Sequence, residues 1–199
     1  MKMFLDIETI PVDEKKHSVL KELYERHLAN GKNVGTFEDY VSQTSFDGAF
    51  GRIICLGWAM DDEKVESITG SETEIIKKFW GLAKAADLFI GYNLLDFDLR
   101  FIYQRSVMLG IKPTREIPLK YYSNMPVYDV MWEWVKWKKP VTSLHNLARA
   151  MEIPSSKDGG MEGKDVAQAF LDGKIKEISR YCEKDVEVTR QIYKKLTFS

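Results

Sequence analysis

Short apolar runs alternate with helical periodicities along the chain and predict a series of strands and helices. The first ten residues are mostly apolar until Pro11, which predicts a central strand. Residues 52–60 form a second apolar run, and Asp61 and Asp62 predict a turn into a third strand that ends near Thr69. These two strands therefore form a predicted hairpin. Two further short strands are predicted at residues 87–92 and 126–131.

The segments between the strands carry helical signals. Residues 13–30 predict an exposed amphipathic helix, and Ser71 with Glu74 forms a capping box for a helix through Ala85. Asn93 is expected to cap a helix that runs to about Gly110. Further helices are predicted at residues 37–41, directly after residue 131 in a tryptophan-rich segment, and at residues 143–151, 166–171 and 174–196. This order predicts an α/β fold with a mixed sheet covered by helices.

Length and composition fit one folded domain over residues 1–199. Hydrophobic residues make up 44% and charged residues 30%, as in ordinary globular proteins. The chain has no apolar run of membrane-spanning length and its start lacks a signal-peptide pattern, so we expect a cytoplasmic location and no membrane partner. Cys55 and Cys182 fall in predicted elements as small buried residues. The net charge of −1 requires any nucleic-acid binding to be local or metal-assisted.

Two carboxylates interrupt the first predicted strand. Asp6 and Glu8 are two residues apart, so both side chains leave the same face of the strand. Carboxylates this close repel each other unless a cation lies between them, and hard oxygen ligands suit magnesium or manganese. A solvent-facing edge strand that carries two acids is the alternative interpretation.

A third carboxylate lies on the apolar stripe of the last predicted helix. Asp185 shares the spacing of the apolar residues Ile178, Cys182 and Ile192, so it faces inward with them. Tyr181 precedes Asp185 by four residues, one turn away on the same side, where its hydroxyl could reach whatever Asp185 holds. A core tyrosine is the alternative interpretation of Tyr181.

The segment from Gly91 to Arg100 offers two further acids. Asp98 lies on the apolar flank of the predicted helix, three residues after Leu95 and four before Ile102. Asp96 precedes Arg100 by four residues and is expected to pair with it on the solvent side of the helix. An acid favoured by the dipole of a helix N-terminus is the alternative for Asp98. If these three places converge, the carboxylates form one site for two divalent cations, Mg²⁺ or Mn²⁺, which is the arrangement used for in-line phosphoryl displacement.

With these residues in order, the chain resembles a DnaQ-like 3′-5′ exonuclease of the DEDD superfamily, in its tyrosine branch. Asp6-Ile-Glu8, Asn93 to Asp98, and Tyr181-x-x-x-Asp185 match the three motifs. The sister branch has a histidine five residues before the last acid, where this chain has Arg180. The resemblance is strongest to stand-alone bacterial proteins related to the exonuclease domain of family-B DNA polymerases, since Phe50-Gly-Arg-Ile53, Ser143-Leu144 and the tail from Gly173 also fit that group.

The resemblance implies a ribonuclease-H-like fold with a five-stranded mixed sheet, and a two-metal exonuclease that removes nucleotides from single-stranded 3′ ends. It implies that Asp6, Glu8 and Asp185 bind one metal, that Asp6 and Asp98 contribute to the second, and that Tyr181 orients the attacking water. It further implies that the pocket for the 3′-terminal nucleotide is lined by Thr9, Ile10, Asn93 and Phe97.

Several interpretations stay open at the level of sequence. Lys157 could reach the phosphate or be a solvated loop lysine. Residues 11–50 do not fit the family pattern and could shape the substrate channel. The basic aromatic segment 132–139 could stack and steer single strands or simply pack on the core. DNA is favoured as the substrate, and the alternatives are an RNA-directed exoribonuclease, a catalytically idle nucleic-acid-binding module and a small-molecule phosphohydrolase.

Overall fold

A mixed five-stranded sheet lies at the centre of the fold in a computed structural model that describes residues 1–155, 158 and 160–199. Its strands in chain order are β1 Lys2–Ile10, β2 Arg52–Met60, β3 Glu66–Thr69, β4 Leu88–Gly91 and β5 Val127–Asp129. The spatial order is β3-β2-β1-β4-β5. The pairs β1–β2 and β2–β3 are antiparallel, whereas β1–β4 and β4–β5 are parallel. The predicted mixed sheet, its hairpin and the central place of the first strand are confirmed.

Helices flank this sheet. In chain order they are α1 His17–Ala29, α2 Phe37–Gln43, α3 Glu72–Ala83, α4 Asp98–Met108, α5 Val130–Trp134, α6 Leu144–Ala150, α7 Val166–Leu171 and α8 Ile175–Thr197. The predicted capping box at α3 is present, because Ser71 accepts from the backbone N–H of Glu74 and Glu74 accepts from that of Ser71. Within the part of the chain that the structure describes, no helix has both the length and the hydrophobicity to cross a membrane.

Alternation along β1 divides the core between the two faces of the sheet. Met3, Leu5 and Ile7 face the cluster that contains α3 and α4, whereas Phe4 packs edge-on against Tyr193 of α8 on the other side. Even-numbered residues of β1 therefore point toward α8. Asp6 and Glu8, the two carboxylates of this strand, therefore lie on the α8 side of the sheet.

Gly57 lets α8 approach β2 closely. A Cβ at this residue would lie 3.0 Å from Cys182 Sγ and 3.1 Å from Val186 Cγ2. Gly57 also pairs with Asp6 across the β1–β2 ladder. Because any side chain here would push α8 outward, the glycine fixes the distance between α8 and the carboxylates of β1. Cys55 and Cys182 are free and fully buried, as predicted.

One predicted boundary is wrong. Asn93 does not cap α4, which begins at Asp98 with Phe97 as its N-cap residue. Asn93 instead has a left-handed backbone with φ of 60°, and its N–H donates to the side chain of Asp129 at 3.1 Å. The contact with Asp129, distant in sequence, holds residues 93–97 in a turn and delays the helix by one turn.

The long connection between β1 and β2 returns to the end of β1. Its first helix, α1, is exposed and buries only Leu20. At its far end the Thr44 hydroxyl accepts from the backbone N–H of Val12 at 2.9 Å, and the Thr9 hydroxyl donates to the carbonyl of Ser45 at 2.7 Å. These two hydrogen bonds place the segment around residue 45 beside the carboxylates of β1.

Candidate active site

Asp6 and Glu8 lie next to each other on the face of β1 that points toward α8. Asp6 is partly exposed, while Glu8 is buried opposite Cys55 of β2. A register shift between Glu8 and Thr9 ends the regular ladder just beyond them. The strand therefore presents both carboxylates at the point where its pairing becomes irregular, a common feature of functional sites.

Asp185 faces this pair from α8. Its side chain is 8% exposed and shares the buried stripe of the helix with Cys182, Val186 and Thr189. Tyr181 lies one turn earlier, and burial and then the charge of Asp185 raise the pKa of its hydroxyl. The long helix therefore brings a carboxylate and a phenol to the two acids of β1.

Asp98 is the first residue of α4 and is 2% exposed. Its Oδ1 accepts from the backbone N–H of Ile7 at 3.0 Å, beyond the last β1–β4 pair at Phe4. The Asp98 carboxylate therefore accepts a hydrogen bond from β1 at a point where β4 no longer pairs with that strand. Asp96 points elsewhere and accepts from Trp132 Nε1 at 2.8 Å and from the Tyr121 hydroxyl, not from the Arg100 expected as its partner.

The electrostatics of the group reflect this convergence. Burial raises the pKa of Asp6, and the charges of Asp98, Asp185 and Glu8 raise it further. The pKa of Glu8 is raised by burial and then by Asp185, and that of Asp98 is raised chiefly by burial against hydrogen bonds that lower it. Each carboxylate therefore disfavours the charge of the others, and a cation between them would relieve that cost.

The donor set fits hard divalent cations. Ligand atoms of Asp6, Glu8 and Cys182 lie within 4.8 Å of one another. Burial raises the pKa of the Cys182 thiol, so the thiol stays protonated and donates to the Asp6 carboxylate, with Sγ 3.5 Å from Oδ2. A protonated thiol is a poor metal ligand. The oxygen atoms of the carboxylates are left as the ligands, which suits Mg²⁺ or Mn²⁺.

A cleft of about 450 Å³ opens above Asp6, Glu8 and Asp185, whereas the buried Asp98 is not part of its lining. The cleft is lined by residues of β1, of the segment before β2, of the turn before α4, of the turn before α7 and of α8: Asp6, Ile7, Glu8, Thr9, Ser45, Phe46, Phe97, Glu162, Gly163, Lys164, Tyr181 and Asp185. The 11–50 connection therefore does contribute to the cleft, through Ser45 and Phe46. Sequence reasoning missed Phe46 and Lys164, because neither belongs to a motif and only the fold brings them here.

The four residues expected around a terminal nucleotide have different places. Thr9 and Phe97 line the cleft, and the Phe97 ring lies 6.1 Å from the 60%-exposed ring of Phe46. Ile10 is buried in an apolar cluster with Ile54 and Cys182. Asn93 lies in the turn after β4 and is absent from the cleft lining. Lys157 falls outside the described residues.

Asp129 is a further buried carboxylate that sequence reasoning overlooked. It ends β5 and accepts from the backbone N–H groups of Asn93, Leu95, Met131 and Trp132. Burial raises its pKa to about 6, although these hydrogen bonds act to lower it. The residue caps α5 and fixes the turn that precedes Asp98. An acid between a strand and a helix was the available signal.

Comparisons with known proteins identify a family and a fold. A family model described as a predicted 3′-5′ exonuclease related to the exonuclease domain of PolB matches residues 49–199. The solved family B DNA polymerase from the hyperthermophilic archaeon Pyrobaculum calidifontis is similar to the chain with a TM-score of 0.68 and 18% identity. That match covers 98% of this chain and 24% of the polymerase, so the chain spans about a quarter of that protein. No curated protein matches. The structural similarity supports the ribonuclease-H-like fold.

Proposed function

Because the chain belongs to the family of predicted 3′-5′ exonucleases related to the exonuclease domain of PolB, we propose that it is an active, metal-dependent exonuclease. It would remove nucleotides from the 3′ end of single-stranded nucleic acid, with DNA favoured. The observation that carries this proposal is the convergence of Asp6, Glu8, Asp98 and Asp185 from three separate elements. The proposal treats residues 1–199 as one domain, since β1 and α8 both contribute.

The cations would be held by carboxylates alone. We assign Asp6, Glu8 and Asp185 to one divalent ion and Asp6 and Asp98 to a second, with Mg²⁺ or Mn²⁺ as the ions. When bound, these ions would supply the Lewis-acid chemistry that lowers the pKa of a water and stabilises charge on the leaving oxygen. The raised pKa values of Asp6, Glu8 and Asp98 support the assignment, because burial first and neighbouring carboxylates second disfavour their charges, a cost that a bound cation would offset.

Tyr181 would orient the water that attacks the phosphorus. Burial, and then the charges of Asp185, Glu8 and Asp6, raise the pKa of its hydroxyl, so the group stays neutral and can donate a hydrogen bond. Tyr181 lines the same cleft as Asp6, Glu8 and Asp185. This position supports the proposed membership of the tyrosine branch, and the kinship with stand-alone bacterial proteins is proposed from the sequence resemblance alone.

The cleft has the size and lining expected for one nucleotide. Phe46 and Phe97 would contact the terminal base from opposite elements, and Lys164 would neutralise the phosphate. Thr9 would contribute its backbone, because its hydroxyl already donates to Ser45. Ile10 and Asn93 stay proposals, with Ile10 shaping the floor of the cleft from the core and Asn93 shaping the turn before Phe97.

Replacing Tyr181 by Phe should slow hydrolysis by roughly ten- to a hundredfold, below the full contribution of about 10²–10⁴ expected of a positioned acid or base. The hydroxyl orients the water but the metal-binding carboxylates remain, so kcat falls and KM changes little. The measurement is single-turnover hydrolysis of an oligonucleotide at saturating Mn²⁺. Tyr193→Phe is the matched control, because this buried tyrosine of α8 packs against Phe4 and Tyr128 away from the cleft. Equal rates for wild type and Tyr181→Phe would contradict the assigned role.

The function itself is tested with 5′-labelled single-stranded DNA and RNA in Mn²⁺. We expect a ladder of products shortened from the 3′ end, faster on DNA, that EDTA stops. Faster digestion of RNA would favour the exoribonuclease alternative. Retention of the oligonucleotide without shortening would favour the catalytically idle module. Hydrolysis of a chromogenic phosphodiester with no digestion of either oligonucleotide would favour the small-molecule phosphohydrolase.

A further inference from the structure

Four aromatic side chains form one surface beside the candidate active site. This aromatic platform consists of Tyr121, Tyr122, Trp132 and Trp137. The two tryptophan rings are stacked 5.8 Å apart with an angle of 2° between their planes, and Tyr121 meets both edge-on. Tyr122 lies 5.3 Å from Trp137 and is 80% exposed. The tryptophans pack on the core, while the tyrosines extend the surface into solvent.

The backbone of the platform adopts conformations that bulky residues seldom take. Tyr122, Lys136 and Trp137 have left-handed φ values of 59°, 49° and 61°. Such conformations cost on the order of 1–3 kcal/mol each and persist where surrounding contacts enforce them, often at functional sites. Glu133 provides part of this enforcement by accepting from Trp137 Nε1 at 3.2 Å and pairing with Lys136 at 2.9 Å. Core packing does not account for Tyr122, because its ring is exposed.

The platform is joined to the catalytic turn by direct hydrogen bonds. Asp96 accepts from Trp132 Nε1 and from the Tyr121 hydroxyl, and it directly precedes Phe97 of the cleft lining. The parallel strands β4 and β5 also end at the same edge of the sheet, where Phe97 of the cleft follows β4 and the two tryptophans of the platform follow β5. Ligands of open α/β sheets bind outside this edge. A strand whose 3′ end enters the cleft therefore passes near the platform.

Exposed cations accompany the rings. Lys120 precedes Tyr121, and Lys138 and Lys139 follow Trp137, all three exposed. The chain as a whole has a net charge of −1, so this concentration of lysine is local. Aromatic rings that stack on bases, together with cations that follow the phosphates, are the combination used by proteins that bind single strands without sequence preference.

We propose that the aromatic platform binds the unpaired strand on the 5′ side of the nucleotide in the cleft, by stacking one or more bases on Tyr122 and Trp137. The inference rests on the proposed function, since it assigns the path of the same substrate. It makes Tyr122 a substrate-binding residue outside the cleft. It also predicts that affinity grows with oligonucleotide length until the strand reaches the platform.

The test measures binding in EDTA, where no hydrolysis competes. Oligo(dT) of 3 and of 20 nucleotides is titrated by fluorescence anisotropy against wild type, Tyr122→Ala, Tyr122→Phe and Tyr103→Ala. We expect Tyr122→Ala to raise the Kd for the longer strand by about tenfold, the loss of one stacked base. The Kd for the 3-nucleotide strand divided by the Kd for the 20-nucleotide strand should therefore be smaller in Tyr122→Ala than in wild type. Tyr122→Phe should retain wild-type affinity, and Tyr103→Ala, which removes an exposed tyrosine of α4, should leave it unchanged.

A single 2-aminopurine moved along the longer strand reports stacking directly. Wild type should quench it at one or two internal positions, and Tyr122→Ala should relieve that quenching. Lys138→Ala should lower the salt dependence of binding by about one ion, a change that loss of stacking does not produce. Quenching without hydrolysis would support the platform and overturn the exonuclease proposal. Hydrolysis together with an unchanged Kd ratio and unchanged quenching in Tyr122→Ala would overturn the platform and leave the exonuclease proposal intact.

Discussion

An Asp185→Ala variant is expected to lose at least about a thousandfold in the rate of 3′-terminal hydrolysis. Asp185 is the acid of α8 that faces Asp6 and Glu8, and its loss removes the metal ligand that we propose for this helix. Metal ions contribute several kcal/mol of transition-state stabilisation, and a loss of about 4 kcal/mol corresponds to about three orders of magnitude in rate. The measurement is single-turnover hydrolysis of a labelled oligonucleotide in Mn²⁺.

The same variant should fold normally. Asp185 raises the pKa of both Asp6 and Glu8, so removing its charge relieves repulsion in the metal-free protein. This gain opposes the loss of the contacts that the buried Asp185 side chain makes on α8. We therefore expect the free energy of unfolding in EDTA to change by no more than about 2 kcal/mol in either direction.

Glu177→Ala is the matched control, because it removes an exposed carboxylate from the same helix. It should keep wild-type activity and stability. Full activity of Asp185→Ala would contradict the assignment of the metal site. Failure of that variant to fold would instead show that Asp185 stabilises α8, and Asp185→Asn, which keeps the shape of the side chain, would then separate charge from packing.

Local patterns predicted the elements that carry the site. The interruption of β1 by Asp6 and Glu8, and the place of Asp185 on the stripe of α8, depend only on periods of two and 3.6 residues. Both therefore hold without knowledge of the neighbours. The choice of Asp98 over Asp96 as the buried acid was also correct, but Asp96 lies in the turn before α4 and has a different partner from the one that helical phase predicted.

Contacts between distant segments determined what the sequence could not predict. Asp129 holds Asn93 in a left-handed turn and shifts the start of α4, and no local pattern reports a hydrogen bond across 36 residues. Phe46 reaches the cleft because Thr44 and Thr9 attach its segment to β1. Cys182 was predicted as a buried residue, but its contact with Asp6 depends on the close approach allowed by Gly57.

The stability of the metal-free protein should fall as pH rises from about 5 to 8. The pKa values of Asp6, Glu8 and Asp98 are raised in the folded state, so folding favours their protonated forms. The stability they contribute is complete below their ordinary pKa of about 4 and is lost as pH rises through the raised folded pKa. For exposed acids with a lowered pKa, such as Asp62 and Glu74, the contribution to stability instead rises with pH, but only near or below pH 4.

We therefore expect the free energy of unfolding, measured by urea unfolding in EDTA, to decrease steadily across this range. Adding Mn²⁺ at pH 8 to a hundred times its Kd should restore about 2.7 kcal/mol. Asp6→Asn should weaken both effects, because it removes one charge and one ligand. The slope due to Asp129, whose pKa is about 6, should persist in that variant. Stability in EDTA that rises with pH, together with no response to Mn²⁺, would mean that the carboxylates of β1, α4 and α8 are compensated within the protein and do not form a metal site.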